Sequence, residues 1–305
     1  MLSKMVSVVI PARNAEKTIK ESVLSALNQT HQEVEVIVID DNSTDKTMEV
    51  LKSFEERIIV LRGQGIGSGP ARNLGVEASS GEIIAFLDAD DIWKESKLSK
   101  QLPLLESGVV VGTYASYFVD TLENQAGTSI RTNTDEEAQA FVLEGRGMPM
   151  LLSSILMNKS DFLKLGGFDP LLIRTQDYDL LVRACVSGLK IRIVREQLLY
   201  YRLHLSSETV ESYKDQYLTA EYIRQRTFSG VVGSYEEWKV KNHSRPSLIR
   251  KYKAGALIRN GMIHFYSDSR MRGILFLVAG IFVDPLQAFE KMRRQSGIGL
   301  RRRKK

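Results

Sequence analysis

Ile83-Ile84-Ala85-Phe86-Leu87-Asp88-Ala89-Asp90-Asp91 is an apolar run that ends abruptly in three carboxylates. Just upstream, Ser79-Ser80-Gly81 reads as a helix stop, so the run itself reads as a buried strand. Carboxylates massed at the end of such a strand repel one another, and burial raises the cost of each charge. A divalent cation removes the conflict, and hard oxygen ligands of this kind suit Mg2+ or Mn2+. An ion held by one or two carboxylates takes its remaining ligands from water and from a substrate's phosphates. A solvated Asp-rich turn is the competing reading of the same residues.

Outward from this strand, the first third of the chain alternates strand and helix patterns. Strands are predicted at 6–10, 34–39 and 58–62, with 83–87 as the fourth. Helices are predicted at 18–29, after 43–45, and at 71–78 behind Pro70, whose missing N–H costs nothing at a first helical position. Strands separated by helix-length segments argue for a right-handed, mostly parallel α/β sheet. Ligands on such sheets gather at the carboxyl ends of the strands. That edge would carry 11–14, Asp40 and Asp41, 62–72, and 88–91, four polar clusters where one site would be. Further on, 109–119, 153–158 and 198–204 look like strands, and 178–187 looks like a helix after Gly166-Gly167-Phe168-Asp169. Beyond Tyr213 the pattern is helical. The expected division is 1–108, 109–210 as a second half of the same domain, and 211–305 as a helical C-terminal extension.

The composition is that of an ordinary soluble domain, 43% hydrophobic and 26% charged over 305 residues. The single cysteine, Cys185, excludes an internal disulfide framework, fits a reducing, cytoplasmic setting, and reads as a buried structural thiol. The N-terminus lacks the pattern of a secretory leader. Residues 291–305 hold eight Lys and Arg and no acid. Against a net charge of +5, this leaves the rest of the chain negative by three. Basicity is therefore a tail property, which argues against nucleic acid as a partner.

The motifs VSVVIPARNAEKTI, VIVIDDNSTD, GPARNLGVEAS, IIAFLDADD, GGFD and QDYDLLVR occur in that order over about residues 5–204. In order and spacing the chain resembles the family 2 glycosyltransferases of the GT-A fold. The resemblance implies transfer of a single sugar, with inversion, from a nucleotide-diphosphate sugar, a UDP-sugar first of all, to a hydroxyl on a saccharide or lipid-linked acceptor. By the same resemblance Asp41 accepts the N3–H of a uracil ring, and Pro11, Ala12, Arg13 and Asn14 line the base and ribose pocket. Arg72 faces phosphate or base. Asp88 and Ala89 touch the ribose side of the donor, and Asp90, with Asp88 and His204, serves the metal ion. Asp177 would be the general base, with Gly167, Phe168 and Gln176 at the acceptor. Arg13 departs from the aromatic common at its position, and Gln176 from the acid that precedes the base. The Gln-x-x-Arg-Trp signature of processive synthases is absent.

Several residues keep a second reading. Asp41 also suits a helix cap, Arg72 a solvated helix face, and Asp177 a wet helix face; His204 suits a packed, hydrogen-bonded position. A dinucleotide dehydrogenase is disfavoured because Gly63-Gln64-Gly65-Ile66-Gly67-Ser68-Gly69 misses the G-x-G-x-x-G spacing and follows the third strand rather than the first. A nucleotidyltransferase should carry a glycine-rich loop after its first strand, where Ala12-Arg13-Asn14-Ala15-Glu16-Lys17 has no glycine. A non-catalytic donor-binding or scaffold protein is the remaining alternative. The apolar run 273–283 is about 16 Å long as a helix, short of the ~30 Å hydrocarbon core. With the basic tail, it either lies at an anionic membrane surface, peripherally at the inner face of the cell membrane, or packs on the protein.

Overall fold

The computed structural model describes residues 4–119, 121–129, 132–203, 213–231, 233–266 and 270–289. The chain divides into two compact units, one of Met1–Ala115 with Thr132–Tyr201, the other of Ser116–Arg131 with Arg202–Lys305. The first unit opens with β1 (Val6–Ala12), α1 (Ile19–Leu27), β2 (Val34–Asp40), α2 (Thr47–Lys52), β3 (Ile59–Arg62), α3 (Ser68–Ala78) and β4 (Ile83–Phe86). These four strands are parallel in the order β3-β2-β1-β4, with Val6 opposite both Val34 and Ile83, and Ala12 opposite Asp40. Helix-length crossovers bring each strand back in the same direction, so all four carboxyl ends share one edge. Val6, Val8, Val9 and Ile10 are completely buried, because a parallel strand with neighbours on both sides and helices on both faces meets no solvent.

The sheet then changes character. After β5 (Ile92–Trp93) and α4 (Lys97–Gln101) come β6 (Val109–Val119), β7 (Thr121–Thr128), α5 (Asp135–Leu143), β8 (Leu156–Asn158), α6 (Lys159–Lys164), α7 (Gln176–Val186) and β9 (Lys190–Leu203). Strand order continues β4-β8-β6-β9-β5, with β7 paired on β6. β8 joins β4 antiparallel, and β6–β8, β6–β7 and β5–β9 are antiparallel too. The parallel character thus belongs to the N-terminal four strands. Several elements differ from the sequence expectation. β9 begins eight residues before 198, and β7 is a strand at Thr121–Thr128, where the polar sequence gives no strand signal. Helix α7 begins at Gln176, two residues earlier than its periodicity suggests.

Beneath the carboxyl edge, Phe86, Phe162 and Phe168 meet with ring centroids 5.2–5.6 Å apart, tilted or edge-on. Each such pair adds about 0.5–1.5 kcal/mol beyond the burial itself. Cys185 is buried on α7, which pushes its thiol up to about 12 and leaves it inert, as a structural cysteine should be.

The second unit is mostly helical: α8 (Tyr213–Phe228), α9 (Tyr235–Asn242), α10 (Pro246–Tyr266) and α11 (Arg270–Val283). A reciprocal capping box opens α9, where the Ser234 hydroxyl accepts the Glu237 N–H and the Glu237 carboxylate accepts the Ser234 N–H. Helices α10 and α11 pack at glycines. A Cβ on Gly280 would stand 2.8 Å from Ile258, and one on Gly261 would stand 3.0 Å from the Gly273 carbonyl oxygen. Among the described residues, no helix is long and apolar enough to cross a membrane.

Candidate functional site

Among the described residues, three non-glycine residues have left-handed backbones, and all lie in the loops at the carboxyl edge: Asn14 (φ 51°), Asn42 (φ 65°) and Thr175 (φ 61°). Asparagine tolerates this conformation, but a β-branched threonine does not do so freely. Strain of this kind costs of order 1–3 kcal/mol and persists where the surroundings over-determine it. Thr175 turns the chain into α7, so the next two residues, Gln176 and Asp177, occupy the helix's first turn. Asn14 ties the loop after β1 to the loop after β2. Its N–H donates to the Ser43 hydroxyl (2.9 Å) and its side-chain oxygen accepts the Thr44 N–H (2.8 Å).

Asp41 is buried at the end of β2, where its two carboxylate oxygens accept the N–H groups of Gly65 (2.7 Å) and Gly67 (2.9 Å). Charge-assisted bonds of this sort fold the glycine-rich loop onto the strand end. The helix-capping alternative belongs to Asp45 instead, which accepts the Thr47 N–H (2.9 Å) and the Glu16 N–H (3.0 Å). Burial raises the Asp45 carboxyl, but the hydrogen bonds outweigh it and hold the group below the usual carboxylate range. Pro11 and Ala12 end β1 opposite Ile39 and Asp40, and Arg13 is exposed beyond them.

Arg72 is not a solvated helix arginine. It is buried on α3 and donates from Nη2 to Asp88 Oδ1 at 2.6 Å. Its guanidinium lies 5.5 Å from the centroid of Phe168, and its Nε has no hydrogen-bond partner. The Asp88 N–H donates to Ser153 Oγ (3.1 Å), which fixes the turn after β4. Asp88, Ala89 and Asp90 remain partly open, whereas Asp91 is fully buried, its N–H closing a turn on the Asp88 carbonyl (3.1 Å). The three acids therefore separate into one that turns inward and two that stay at the edge.

Asp177 caps its own helix start, accepting the Tyr178 N–H at 2.8 Å. Burial pushes its carboxyl above the usual value; the Tyr178 N–H and the Arg72 charge oppose this, and the Asp88 charge adds to it. A helix N-terminus favours the ionised form, but here desolvation wins. Asp88 and Arg72 act on Asp177 electrostatically, so the three residues share one field. Gln176 beside it is buried; its Oε1 accepts from the Ser68 hydroxyl at 3.4 Å and its Nε2 has no hydrogen-bond partner. Its amide lies against Gly69, where a Cβ would stand 2.6 Å from the amide carbon and the side chain would have to shift.

Phe168 is fully buried in the aromatic trio, under Arg72 rather than open to a ligand. Its backbone forms a two-way bridge with Asn73: Nδ2 donates to the Phe168 carbonyl (2.8 Å) and Oδ1 accepts the Phe168 N–H (2.9 Å). Gly167, left-handed at φ 68°, sits against the same asparagine. Sequence reasoning passed over Ser68, Asn73, Ser153 and Thr175. Asn73 alone left a signal, standing directly after Arg72 in the GPARN motif. His204 lies outside the described residues. Among those described, no group of three or more His, Cys, Asp or Glu side chains is arranged to hold a metal ion.

The sequence profile described as Glycosyl transferase family 2 matches residues 7–165. A UDP-Glc:alpha-D-GlcNAc-diphosphoundecaprenol beta-1,3-glucosyltransferase of Escherichia coli, WfaP, is 28% identical over 269 residues, 88% of this chain and 99% of that protein. The putative teichuronic acid biosynthesis glycosyltransferase TuaG of Bacillus subtilis is 38% identical over 130 residues, 41% of this chain and 50% of that one. Among solved structures, residues 1–349 of S. aureus TarS in complex with UDP-GlcNAc superpose with a TM-score of 0.59 at 17% identity, covering 95% of this chain and 91% of that one. That likeness extends to the sheet and the helical C-terminal region, which gives the architecture as GT-A. The profile match takes in β1 through α6, and with it the Asp41 loop, the Arg72–Asp88 pair and the acid-rich turn, so this chain is a glycosyltransferase of family 2.

Proposed function

We propose that this enzyme transfers one sugar, with inversion, from a UDP-sugar to a hydroxyl of a lipid-linked saccharide during assembly of a surface polysaccharide or glycolipid. The observation that carries the reading is the shared field of Arg72, Asp88 and Asp177 at the carboxyl edge of the sheet. The lipid-linked acceptor and glucose-type donor of WfaP, the UDP-GlcNAc bound to TarS and the teichuronic acid role proposed for TuaG support the choice of donor and acceptor class.

In this reading Asp41 accepts the base N–H while it holds the glycine loop closed, and Pro11, Ala12, Arg13 and Asn14 border the base and ribose. Arg72 is kept rigid by Asp88 on one side and Phe168 beneath. Its partnerless Nε and its charge serve the donor's diphosphate side, with Ala89 giving backbone room next to it. Asp88 and Asp90 are hard oxygen donors, one shared with an arginine, and they fit a Mg2+ or Mn2+ ion whose other ligands are phosphate and water. Such an ion supplies neutralisation of the charge that develops on the leaving diphosphate. Asp177 accepts the acceptor hydroxyl's proton as the oxygen attacks, and its raised pKa makes it a stronger base than an ordinary aspartate. Gln176 donates from its partnerless Nε2 to an acceptor oxygen, with the Gly167 turn bordering the same space.

Asp177→Asn tests this directly. Asparagine is nearly the same size and still caps the helix, but it takes no proton. Donor affinity should stay within a few-fold while transfer falls by at least the ~10²-fold typical of a lost general base. Near-normal transfer, or a product of retained configuration, would refute the mechanism. A loss of donor binding equal to the loss of transfer would move Asp177 to the nucleotide site.

A further inference from the structure

Helix α11 shows its apolar residues to solvent. Met271 is 73% exposed, Leu275 65%, Phe282 84%, and in the helical segment 285–289 Leu286 is 84% exposed. Ile274, Val278, Ile281 and Phe289 are exposed as well. At 100° per residue the six on α11 fall within a single arc of about 120°, the width of the apolar stripe that a core-facing helix buries. The opposite side carries Gly273 and Gly280, the small residues that let α11 press against α10. The helix has thus put its glycines inside, with Phe276 stacked on His264 of α10, and most of its large apolar side chains outside, the inverse of a water-facing helix. The acid directly after the helix does not break the surface, because Asp284 is buried and accepts from Arg250 Nε of α10 at 3.2 Å.

We infer that this face is a monotopic membrane-docking surface, and that its partner is an anionic phospholipid bilayer. Eight exposed large apolar residues along α11 and the segment after it exceed what a monomer's surface ordinarily leaves uncovered. Helix α11 has 14 residues, about 21 Å at ~1.5 Å per residue, so it lies in the interface rather than crossing it. Arg272 is exposed on the flank of the arc, and after Phe289 and Glu290 the sequence runs into 291–305, with eight Lys and Arg and no acid. An apolar face continued by a basic segment matches the two attractions of a lipid surface, hydrocarbon for the first and anionic headgroups for the second. A second copy of the chain would meet the apolar face equally well, but eight like charges next to a twofold contact would oppose it. This inference rests on the lipid-linked acceptor proposed above and gives it a location.

The test is co-sedimentation of the full chain with vesicles of phosphatidylcholine and phosphatidylglycerol in equal parts. In parallel, transfer to a water-soluble acceptor analogue, which depends on Asp177 and not on α11, is measured on the same samples. At low salt the wild type should bind, and L275E/F282E should lower the partition at least ~10-fold, with L275A/F282A intermediate in case the charged pair impairs folding. High salt and pure phosphatidylcholine should each weaken binding, while soluble transfer stays unchanged throughout. The inference is overturned if the wild type stays in the supernatant, if it binds neutral vesicles equally well, or if both double variants bind like the wild type. It is equally overturned if the free wild type is a dimer that these variants dissociate. Loss of soluble transfer in the wild type would strike the catalytic reading alone.

Discussion

Glycine does opposite work in the two units. At the carboxyl edge of the sheet, Gly69 leaves room for a polar amide, and Gly65 and Gly67 turn their N–H groups onto Asp41. In the α10–α11 hairpin, Gly261 and Gly280 leave room for a neighbouring helix, and most of the bulky residues of α11 go outward instead. The first arrangement concentrates charge and strain in a small volume. The second concentrates apolar surface where water would reach it. The comparison teaches that the sheet edge should be limited by geometry, failing in function before it fails in stability. The hairpin should be limited by packing, failing in stability without touching the chemistry.

The sharpest way to break this contrast is Arg72→Met, which keeps the stem over Phe168 and removes the cation from Asp88. Donor affinity measured by calorimetry should fall roughly 100-fold. Tm should report a loss of about 2 kcal/mol, in the range for a lost hydrogen bond to a charged group. Full donor affinity would place the diphosphate elsewhere.

Gly69→Ala comes next. Its methyl must displace the Gln176 amide, the proposed acceptor contact, by a fraction of an ångström to an ångström. Misplacement on that scale costs up to ~10²-fold in rate, so about a tenfold loss of transfer with little change in Tm is expected. A change in Tm with transfer intact would reverse the contrast.

The pH dependence is a smaller effect with a definite sign. Because burial raises the Asp177 carboxyl, its proton is lost later in the folded protein than in the unfolded chain. As the proposed base, it is inactive until pH exceeds the folded value, so the acid limb of kcat should lie above the ordinary carboxylate value. Over the window between the unfolded and folded pKa values, raising the pH costs stability, since the folded state holds its proton longer. Asp177→Asn should therefore leave Tm unchanged or slightly higher at neutral pH. An acid limb at or below the ordinary carboxylate value would contradict the burial argument.

Least consequential for catalysis is Gly280→Val. Overpacking against Ile258 should lower Tm by the equivalent of about 1–3 kcal/mol while donor affinity and soluble transfer hold. A parallel loss of donor affinity would show that the hairpin is not independent of the chemistry.

Much of the fold was legible where hydrophobicity is continuous. Val6–Ala12, Val34–Asp40, Ile83–Phe86 and Val109–Val119 are apolar runs bounded by turn residues, and each is a strand. Thr121–Thr128 was not legible, because its strand comes from pairing with β6 and its own residues are polar. The first half of β9 was missed because charged residues interrupt Ile191, Ile193 and Val194. At the site, the sequence named residues but not their company. Arg72 and Asp88 are 16 positions apart, and only the return of the chain through α3 and β4 brings them to 2.6 Å. A GGFD phenylalanine looks like a ligand contact in a string of letters, whereas the ring is a floor for the arginine. The left-handed turn at Thr175 had no signal at all, since nothing in a threonine announces that conformation.

That threonine also bears on how the protein can be improved. A search for stabilising substitutions would rank Thr175→Gly highly, because glycine relieves a φ of 61° at no steric cost. The gain would come from releasing the torsion that aims α7, so a screen on heat resistance alone would select variants whose active centre has drifted. Residue 175 is where durability and accuracy are traded against each other, and a library meant to keep the enzyme working should hold it fixed.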